Sequence, residues 1–202
     1  MEKEVIHNFW RSRATTGQSR WTTRNFVDYE LKVLRNLNLE NKRVLDLGCG
    51  FGDLSREYCK SEGDLHAIDM EPLFAKWFTE SNHFFEDSEV TEFNNGKTYD
   101  LILLFGVVTH LTLDEENVVY SNIASMKDDS GVAIVKNQCS VEDEFIFDGF
   151  SEELRCRYVG RYPSIAEQLA RLKSHFSSVE TMKYPPDLRV HQNSEHVMFL
   201  CR

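Results

Sequence analysis

The chain has 202 residues, of which 41% are apolar and 12% aromatic, so it fits one domain with a substantial hydrophobic core. Its net charge of −10 disfavours DNA and RNA as partners, because nucleic-acid affinity depends on Lys and Arg that neutralise phosphates. The five cysteines form no Cys-x-x-Cys pair, the N-terminus lacks the apolar core of a signal peptide, and no window has the ~18 apolar residues of a membrane span, which predicts a cytoplasmic protein.

An N-terminal extension, residues 1–40, is predicted to carry a first helix and to belong to the same domain as the rest of the chain. From Asn8 to Val27 it has four arginines, two tryptophans and no acidic residue, the reverse of the overall charge. Arginine forks bind carboxylates and phosphates. We therefore expect either a lid over a ligand site or a surface arm that pairs with acids of the main domain. The candidate lid contacts are Trp10, Arg13, Arg20 and Trp21.

Short apolar runs alternate with helical patterns along the middle of the chain. Apolar residues spaced by three and four predict a helix over residues 25–37. Brief apolar runs predict strands that are covered on both faces: 43–48, 65–69, 83–87, 99–106 and 131–138. Helical patterns separate them: 53–60, 72–81 and 114–127. This alternation predicts a doubly wound α/β fold with a parallel sheet.

The last third of the chain is predicted to contain helix and then two strands. A longer helical region is expected after Gln138, and Ser164 with Glu167 forms a capping box that starts its final helix. Two strand-like runs follow at 178–184 and 195–201. The polar segment between them carries Arg189, on the same predicted face as Arg157.

Three glycines at alternate positions follow the first strand, in the stretch RVLDLGCGFGDLS. Such a turn lets the backbone approach a ligand at the carboxyl edge of the sheet. A dinucleotide site needs G-x-G-x-x-G, but here Asp53 takes the third glycine position and Gly52 comes one residue earlier. Preceded by Asp46, the G-x-G-x-G turn resembles the first motif of class I S-adenosylmethionine-dependent methyltransferases.

This resemblance covers residues 41–202, which we expect to form an S-adenosylmethionine-binding methyltransferase domain. It implies a seven-stranded Rossmann-like sheet, mostly parallel, with an antiparallel last strand. It also implies S-adenosylmethionine as the cofactor, with Asp69 on the ribose hydroxyls and Asp87 near the adenine amine. The cofactor-binding residues that we expect are Asp46, Gly48, Cys49, Gly50, Gly52, Asp69, Met70, Asp87, Ser88 and Phe105.

His110, at the end of the fourth strand, is the candidate catalytic residue. A neutral imidazole with a pKa near ~6.5 can accept a hydroxyl proton at neutral pH; alternatively, the ring is hydrogen-bonded in the turn. Methyl transfer requires no metal in principle. Arginines in three separate segments favour an acceptor with a negative charge, and the candidate acceptor contacts after the fifth strand are Arg157 and Arg189.

The resemblance therefore implies a methyltransferase acting on a small molecule or a sugar, with O-methylation of a polar acceptor. Residues 144–164 also loosely resemble members with polysaccharide-modification functions. The chain lacks the N/D-P-P-Y/F run of enzymes that methylate exocyclic amines of DNA bases. Cys139 is interpreted as a small buried residue, not as the nucleophile of a cytosine-C5 enzyme. The alternatives are a protein or RNA methyltransferase, or a non-catalytic partner protein that binds S-adenosylmethionine.

Overall fold

The computed structural model describes residues 3–17, 24–37, 39, 42–60, 63–152, 155–189 and 192–202. The helices are α1 (Lys3–Thr16), α2 (Arg24–Arg35), α3 (Ser55–Cys59), α4 (Leu113–Met126) and α5 (Ile165–Lys173). The strands are β1 (Arg43–Leu47), β2 (Asp64–Asp69), β3 (His83–Asp87), β4 (Tyr99–Phe105), β5 (Lys127–Ser140), β6 (Phe145–Ser151), β7 (Cys156–Tyr162), β8 (Val179–Lys183) and β9 (Ser194–Cys201). Short 3₁₀ helices cover Pro72–Trp77, Val108–His110 and Pro186–Leu188.

Seven of these strands form one sheet in the order β3-β2-β1-β4-β5-β9-β8. The neighbours from β3 to β5 are parallel, and β9 is antiparallel to both β5 and β8. This confirms the predicted doubly wound sheet with an antiparallel last strand. The chain proceeds outward from β1 in one direction and from β4 in the other, so the crevice at which open α/β sheets bind ligands lies between these two strands.

The sheet is covered on both faces, as the apolar runs of its central strands predict. On one face α4 and α5 contribute Tyr120, Ile123 and Leu172 to the core. On the other face α2 packs through Leu31 and Leu34, because its apolar residues recur every three to four positions. The helices therefore cover the flat faces and leave the carboxyl ends of the parallel strands as the edge available for a site. None of the helices in the described ranges is long and apolar enough to cross a membrane.

The helical region expected after Gln138 is wrong in its first part. Strand β5 continues to Ser140, and β6 and β7 then form a separate antiparallel pair. Both segments are rich in aromatic and β-branched residues, a composition that favours strands. The predicted capping box is confirmed at the end of this region, where Ser164 and Glu167 begin α5.

Two other predicted helices are shorter in the structure. The expected helix at 72–81 is a 3₁₀ turn, Pro72–Trp77, which Glu71 caps by accepting a hydrogen bond from the Leu73 N–H. The expected helix at 53–60 is reduced to α3. The N-terminal helix α1 packs against β7 and the Pro72–Trp77 turn, which places it beside the carboxyl edge of the sheet.

Candidate functional site

The glycine-rich turn after β1 follows the backbone of β2 closely. The N–H groups of Gly48 and Cys49 both donate to the Ile68 carbonyl, at 2.8 and 3.0 Å. Gly48 has φ +71°, and a Cβ there would collide with Val107. Gly50 has φ +51° and faces open space. The first glycine is thus required by packing, and the second leaves backbone accessible to a ligand.

Asp69 ends β2 directly beside this turn and is only 8% exposed. One carboxylate oxygen accepts from the Gly50 N–H at 2.9 Å and the other from the Glu71 N–H at 3.0 Å. Because each carboxylate oxygen can accept two hydrogen bonds, each retains a position for a further donor. Asp69 is therefore held in one orientation, with acceptor capacity left for a ligand.

Two buried carboxylates line this edge of the sheet. Burial raises the pKa of Asp69 to about 6, although the Glu71 and Gly50 N–H groups oppose the shift. Burial likewise raises the pKa of Asp46 to about 7, with the Ser55 hydroxyl opposing it and the charge of Asp69 adding to it. Neither carboxylate forms an ion pair within the described part of the chain, so a bound cation would stabilise both.

A first cavity extends from Asp69 and Met70 to the turn after β4 and is covered by α1. The helix contributes Lys3, Ile6, His7 and Trp10, whose spacing of three and four residues places them on one face. The other wall includes Glu89, Val90 and Thr91, which follow β3. The cavity therefore lies between the sheet edge and an N-terminal helix.

Polar contacts anchor both ends of α1 to the domain. At its start, Lys3 pairs with Glu89 at 3.0 Å and with Glu115 at 3.4 Å. Near its end, Arg11 pairs with Glu71 at 3.1 Å, the residue whose N–H holds Asp69. The Lys76 Nζ also donates to the Ala14 carbonyl at 3.0 Å. These contacts connect the helix to both sides of the first cavity.

His110 lies in the wall of the first cavity, between α1 and the β6–β7 pair. Its ring packs edge-on against Trp10 at 5.8 Å and against Tyr158 at 5.6 Å between ring centroids. The Arg161 Nε of β7 donates to the carbonyl of the next residue, Leu111, at 3.2 Å. Arg161 is itself buried in ion pairs with Glu116 and Glu144, so the β6–β7 pair is firmly attached to the turn that carries His110.

A second cavity continues on the α2 face and shares Trp10, Gly48, Gly50, Phe105 and Gly106 with the first. One end of it reaches Asp46 and the glycine-rich turn. The other end lies at the carboxyl end of β5 and has four polar members: Glu30, Lys136, Gln138 and His196. The two cavities together form one cleft along the ends of the strands.

Most of the residues expected to bind the cofactor line this cleft. They are Asp46, Gly48, Cys49, Gly50, Gly52, Asp69, Met70 and Phe105. Asp87 is exposed, and neither Asp87 nor Ser88 is among the described residues that line the two cavities. The lining on that side begins at Glu89 instead.

The expected convergence of arginines on one site is wrong for the described residues. Arg157 lies at the exposed start of β7 and pairs with Asp148 at 3.0 Å, and Arg189 is exposed beyond the Pro186–Leu188 turn. Neither lines a cavity. Arg13 lies over the Phe9 ring at 5.2 Å. Arg20 and Trp21 lie outside the described residues.

Cys139 is completely buried in the core, as expected, and burial raises the pKa of its thiol to about 12. A protonated, inaccessible thiol is a poor nucleophile. All five cysteines are free thiols.

Sequence reasoning missed several residues of the cleft, although two signals were present. Lys3 and Ile6 have helical spacing with Trp10, the predicted lid residue that does line the cleft. Lys136 is the one charge in residues 131–140 of β5, and Glu30 falls on the apolar face of α2. A search for charged residues at positions where the helix or strand pattern requires apolar ones would have found both Glu30 and Lys136.

No protein-family model matches the chain, and no curated protein matches it by sequence. Solved structures match the chain over most or nearly all of its length. A 1,6-didemethyltoxoflavin-N1-methyltransferase from Burkholderia thailandensis matches with a TM-score of 0.79 and 18% identity, over 99% of this chain and 88% of that one. An S-adenosylmethionine-dependent methyltransferase from Clostridium acetobutylicum matches with a TM-score of 0.68 and 14% identity, over 99% and 98%.

The glycopeptide N-methyltransferase MtfA, in complex with sinefungin, matches with a TM-score of 0.68 and 11% identity, over 85% of this chain and 91% of that one. The sheet order, the antiparallel last strand and these likenesses agree. The chain has the fold of the class I S-adenosylmethionine-dependent methyltransferases.

Proposed function

We propose that this protein is an S-adenosylmethionine-dependent methyltransferase that acts on a small polar molecule. The observation that carries the proposal is the Asp69 carboxylate, which is buried, fixed by two backbone N–H groups and directed at a cavity beside the accessible backbone of Gly50. A rigid carboxylate with spare acceptor capacity suits a pair of neighbouring hydroxyls such as a ribose diol.

The residues of the cleft fit S-adenosylmethionine in shape and in charge. Gly50 leaves space beside the backbone where a Cβ would intrude, and Met70 and Phe105 supply apolar walls. Asp46 and Asp69 are buried carboxylates without a cationic partner in the described ranges, which suits a ligand with an ammonium group and a sulfonium. When bound, that ligand supplies a methyl group that its sulfonium already activates for displacement.

We also propose that residues 1–40 belong to the same domain and that α1 acts as a lid. Its support is the anchoring of the helix through Lys3 and Arg11 across the first cavity. A lid of this kind excludes water and limits the orientations of a bound acceptor, and positioning is the main contribution a protein makes to a displacement on an activated methyl group.

The cleft is a concave site that α1 covers on one side, which favours a small acceptor over a protein or RNA that would need a wide, open face. The comparisons point the same way, since the Burkholderia structure holds 1,6-didemethyltoxoflavin together with S-adenosylhomocysteine. O-methylation remains our hypothesis for the reaction, with the His110 imidazole accepting the hydroxyl proton. Its ring packs on Trp10, which lines both cavities.

An anionic acceptor has less support than the sequence suggested, because Arg157 and Arg189 do not line the cleft. A glycan acceptor is supported only by the loose sequence likeness of residues 144–164. The cytoplasmic location stays a prediction from composition.

The test of the proposal is calorimetric titration of the protein with S-adenosylhomocysteine. Asp69→Ala should weaken binding by about 1.5–3 kcal/mol, the range for hydrogen bonds to a charged group. Asp64→Ala, an exposed residue at the opposite end of β2, is the matched control and should bind normally. A folded Asp69→Ala variant with unchanged affinity would exclude Asp69 from the site and remove the main support for the function.

A further inference from the structure

A buried polar cluster closes the far end of the second cavity. Glu30 of α2 is 1% exposed, and its Oε1 accepts a hydrogen bond from the Tyr184 hydroxyl at 2.6 Å. The same oxygen lies 3.1 Å from the Lys136 Nζ of β5. Burial and the charge of Glu30 raise the pKa of Tyr184 well above its usual value, so its hydroxyl remains a donor. The cluster therefore fixes both charged groups at the cavity wall.

Lys136 retains donor capacity towards the cavity. An ammonium has three N–H donors, and Glu30 is its one ion-pair partner in the described part of the chain. The Nζ also lies within 6 Å of the ring centroids of Phe26, Phe105 and Tyr184, which stabilise the cation without saturating its hydrogen bonds. The remaining N–H groups can bind an oxygen or nitrogen of a ligand.

The walls around this pair are flat and aromatic. The His196 ring packs against Phe26 at 5.1 Å and against Tyr184 at 5.6 Å between centroids, and it lines the cavity beside Lys136. Phe105 and Trp10 belong to the wall shared with the first cavity. Such walls fit a planar molecule better than a bulky or flexible one.

The charges of the pair restrict the ligand further. The charges of Glu30 and Lys136 sum to zero. A carboxylate ligand would be attracted by Lys136 and repelled by Glu30, whereas an ammonium ligand would be attracted by Glu30 and repelled by Lys136. A neutral ligand with a donor next to an acceptor can satisfy both groups without leaving a buried charge unpaired. The –NH–C(=O)– edge of a lactam has this arrangement.

We infer that this end of the cleft is the acceptor subsite, and that Glu30 and Lys136 select a flat, uncharged acceptor with a lactam-like edge. The inference rests on the proposed function, because it assigns the cofactor to the neighbouring part of the cleft. Glu30 and Lys136 act here as specificity-determining residues, and the methylated atom lies elsewhere on the acceptor.

The test uses calorimetric titration of the full-length protein, with and without saturating S-adenosylhomocysteine. The probes are 2-quinolone, which is uncharged and has a lactam edge, 1-naphthol, which lacks one, and 2-naphthoate, which is anionic. We expect the quinolone to bind at least about tenfold more tightly than either of the others, since neither of them presents a donor beside an acceptor to the Glu30–Lys136 pair.

The double variant Glu30→Gln/Lys136→Met removes both charges together, so that neither remains unpaired in the core. It should lose at least about tenfold in quinolone affinity while its affinity for S-adenosylhomocysteine changes by less than about twofold. Lys183→Met is the matched control, because Lys183 forms an exposed pair with Glu195 at 2.7 Å on the neighbouring strands.

The outcomes separate the inference from the proposed function. Two results overturn the inference alone if S-adenosylhomocysteine binds normally. One is a quinolone affinity that the double variant does not change, and the other is tighter binding of the naphthoate than of the quinolone. Absence of quinolone binding to the wild type also overturns it. Quinolone binding that depends on Glu30 and Lys136, in a protein that does not bind S-adenosylhomocysteine, supports the subsite and overturns the proposed function.

Discussion

The Gly50→Ala variant tests whether the cofactor passes over the glycine-rich turn, once the cost of backbone strain is accounted for. Gly50 has φ +51°, and no atom lies within 4 Å of the position that a Cβ would take, so the new side chain meets no steric clash. A left-handed conformation costs an L-residue roughly 1–2 kcal/mol, and the stiffer unfolded chain offsets about 0.4–1 kcal/mol of that. We expect a net loss of about 1 kcal/mol in the free energy of unfolding, or roughly 2–4 °C in melting temperature.

Gly96 provides the matched control, because its φ is +68° and a Cβ there also meets nothing within 4 Å. It lies in the turn before β4, and neither cavity includes it. Gly96→Ala should therefore lose the same stability and keep its affinity for S-adenosylhomocysteine. Gly50→Ala should lose at least about tenfold in affinity, or about 1.4 kcal/mol, because its methyl group enters the cleft.

Thermal unfolding and calorimetric titration of the two variants provide both numbers. If Gly50→Ala binds S-adenosylhomocysteine as tightly as the wild type, the cofactor does not pass over this turn and the site assignment is refuted. If both variants lose affinity equally, the effect is one of stability and not of contact.

Three further predictions concern the catalytic group, the lid and the buried acids. His110→Ala should lower turnover on an accepted hydroxyl substrate by about 10²- to 10⁴-fold with little change in cofactor affinity; a loss below about tenfold would exclude a role as proton acceptor. Deletion of residues 1–22 should leave a folded sheet in circular dichroism and reduce affinity for S-adenosylhomocysteine by at least about tenfold; unfolding of the truncated chain would show that α1 is structural. Burial raises the pKa of Asp46 to about 7, so the folded chain holds a proton there that the unfolded chain releases near about pH 4. The free energy of unfolding should therefore fall as the pH rises from about 4 to about 7, and equal pH slopes in the wild type and in Asp46→Asn would contradict this.

The fold could be predicted because its determinants are local and periodic. The apolar runs of β1 and β4, the period of α2 and the turn at Gly48 each leave a pattern in a few consecutive residues. The β6–β7 pair was missed because neither strand alternates regularly between apolar and polar residues, and the capping box at Ser164 drew the helical interpretation too far upstream.

The cofactor half of the cleft was easier to predict than the acceptor half for a physical reason. Gly50 and Asp69 lie at strand ends, where topology alone determines that they meet. Glu30 and Lys136 are 106 positions apart in the chain and come together only through the packing of α2 on the sheet. A single sequence contains no signal for that distance. The failed convergence of the arginines has the same origin, since Arg157 lies at the exposed start of β7 and pairs with Asp148, whereas Arg161 of the same strand is buried in pairs with acids of other segments.

The ion cluster around Arg161 limits how this protein could change its substrate during evolution. Arg161 and Glu116 are 4% and 0% exposed, and Arg171 and Glu144 complete the group. Loss of one buried partner costs about 3–5 kcal/mol, a large part of the stability of a typical domain, so these positions can be exchanged only in concert. The wall behind His110 consequently resists single substitutions, whereas Phe26 on the α2 side is an apolar core residue that can be exchanged for another of similar volume at a cost below about 1.5 kcal/mol. Divergence in acceptor choice would therefore proceed through the α2 side of the cleft while the lid and its support stay unchanged.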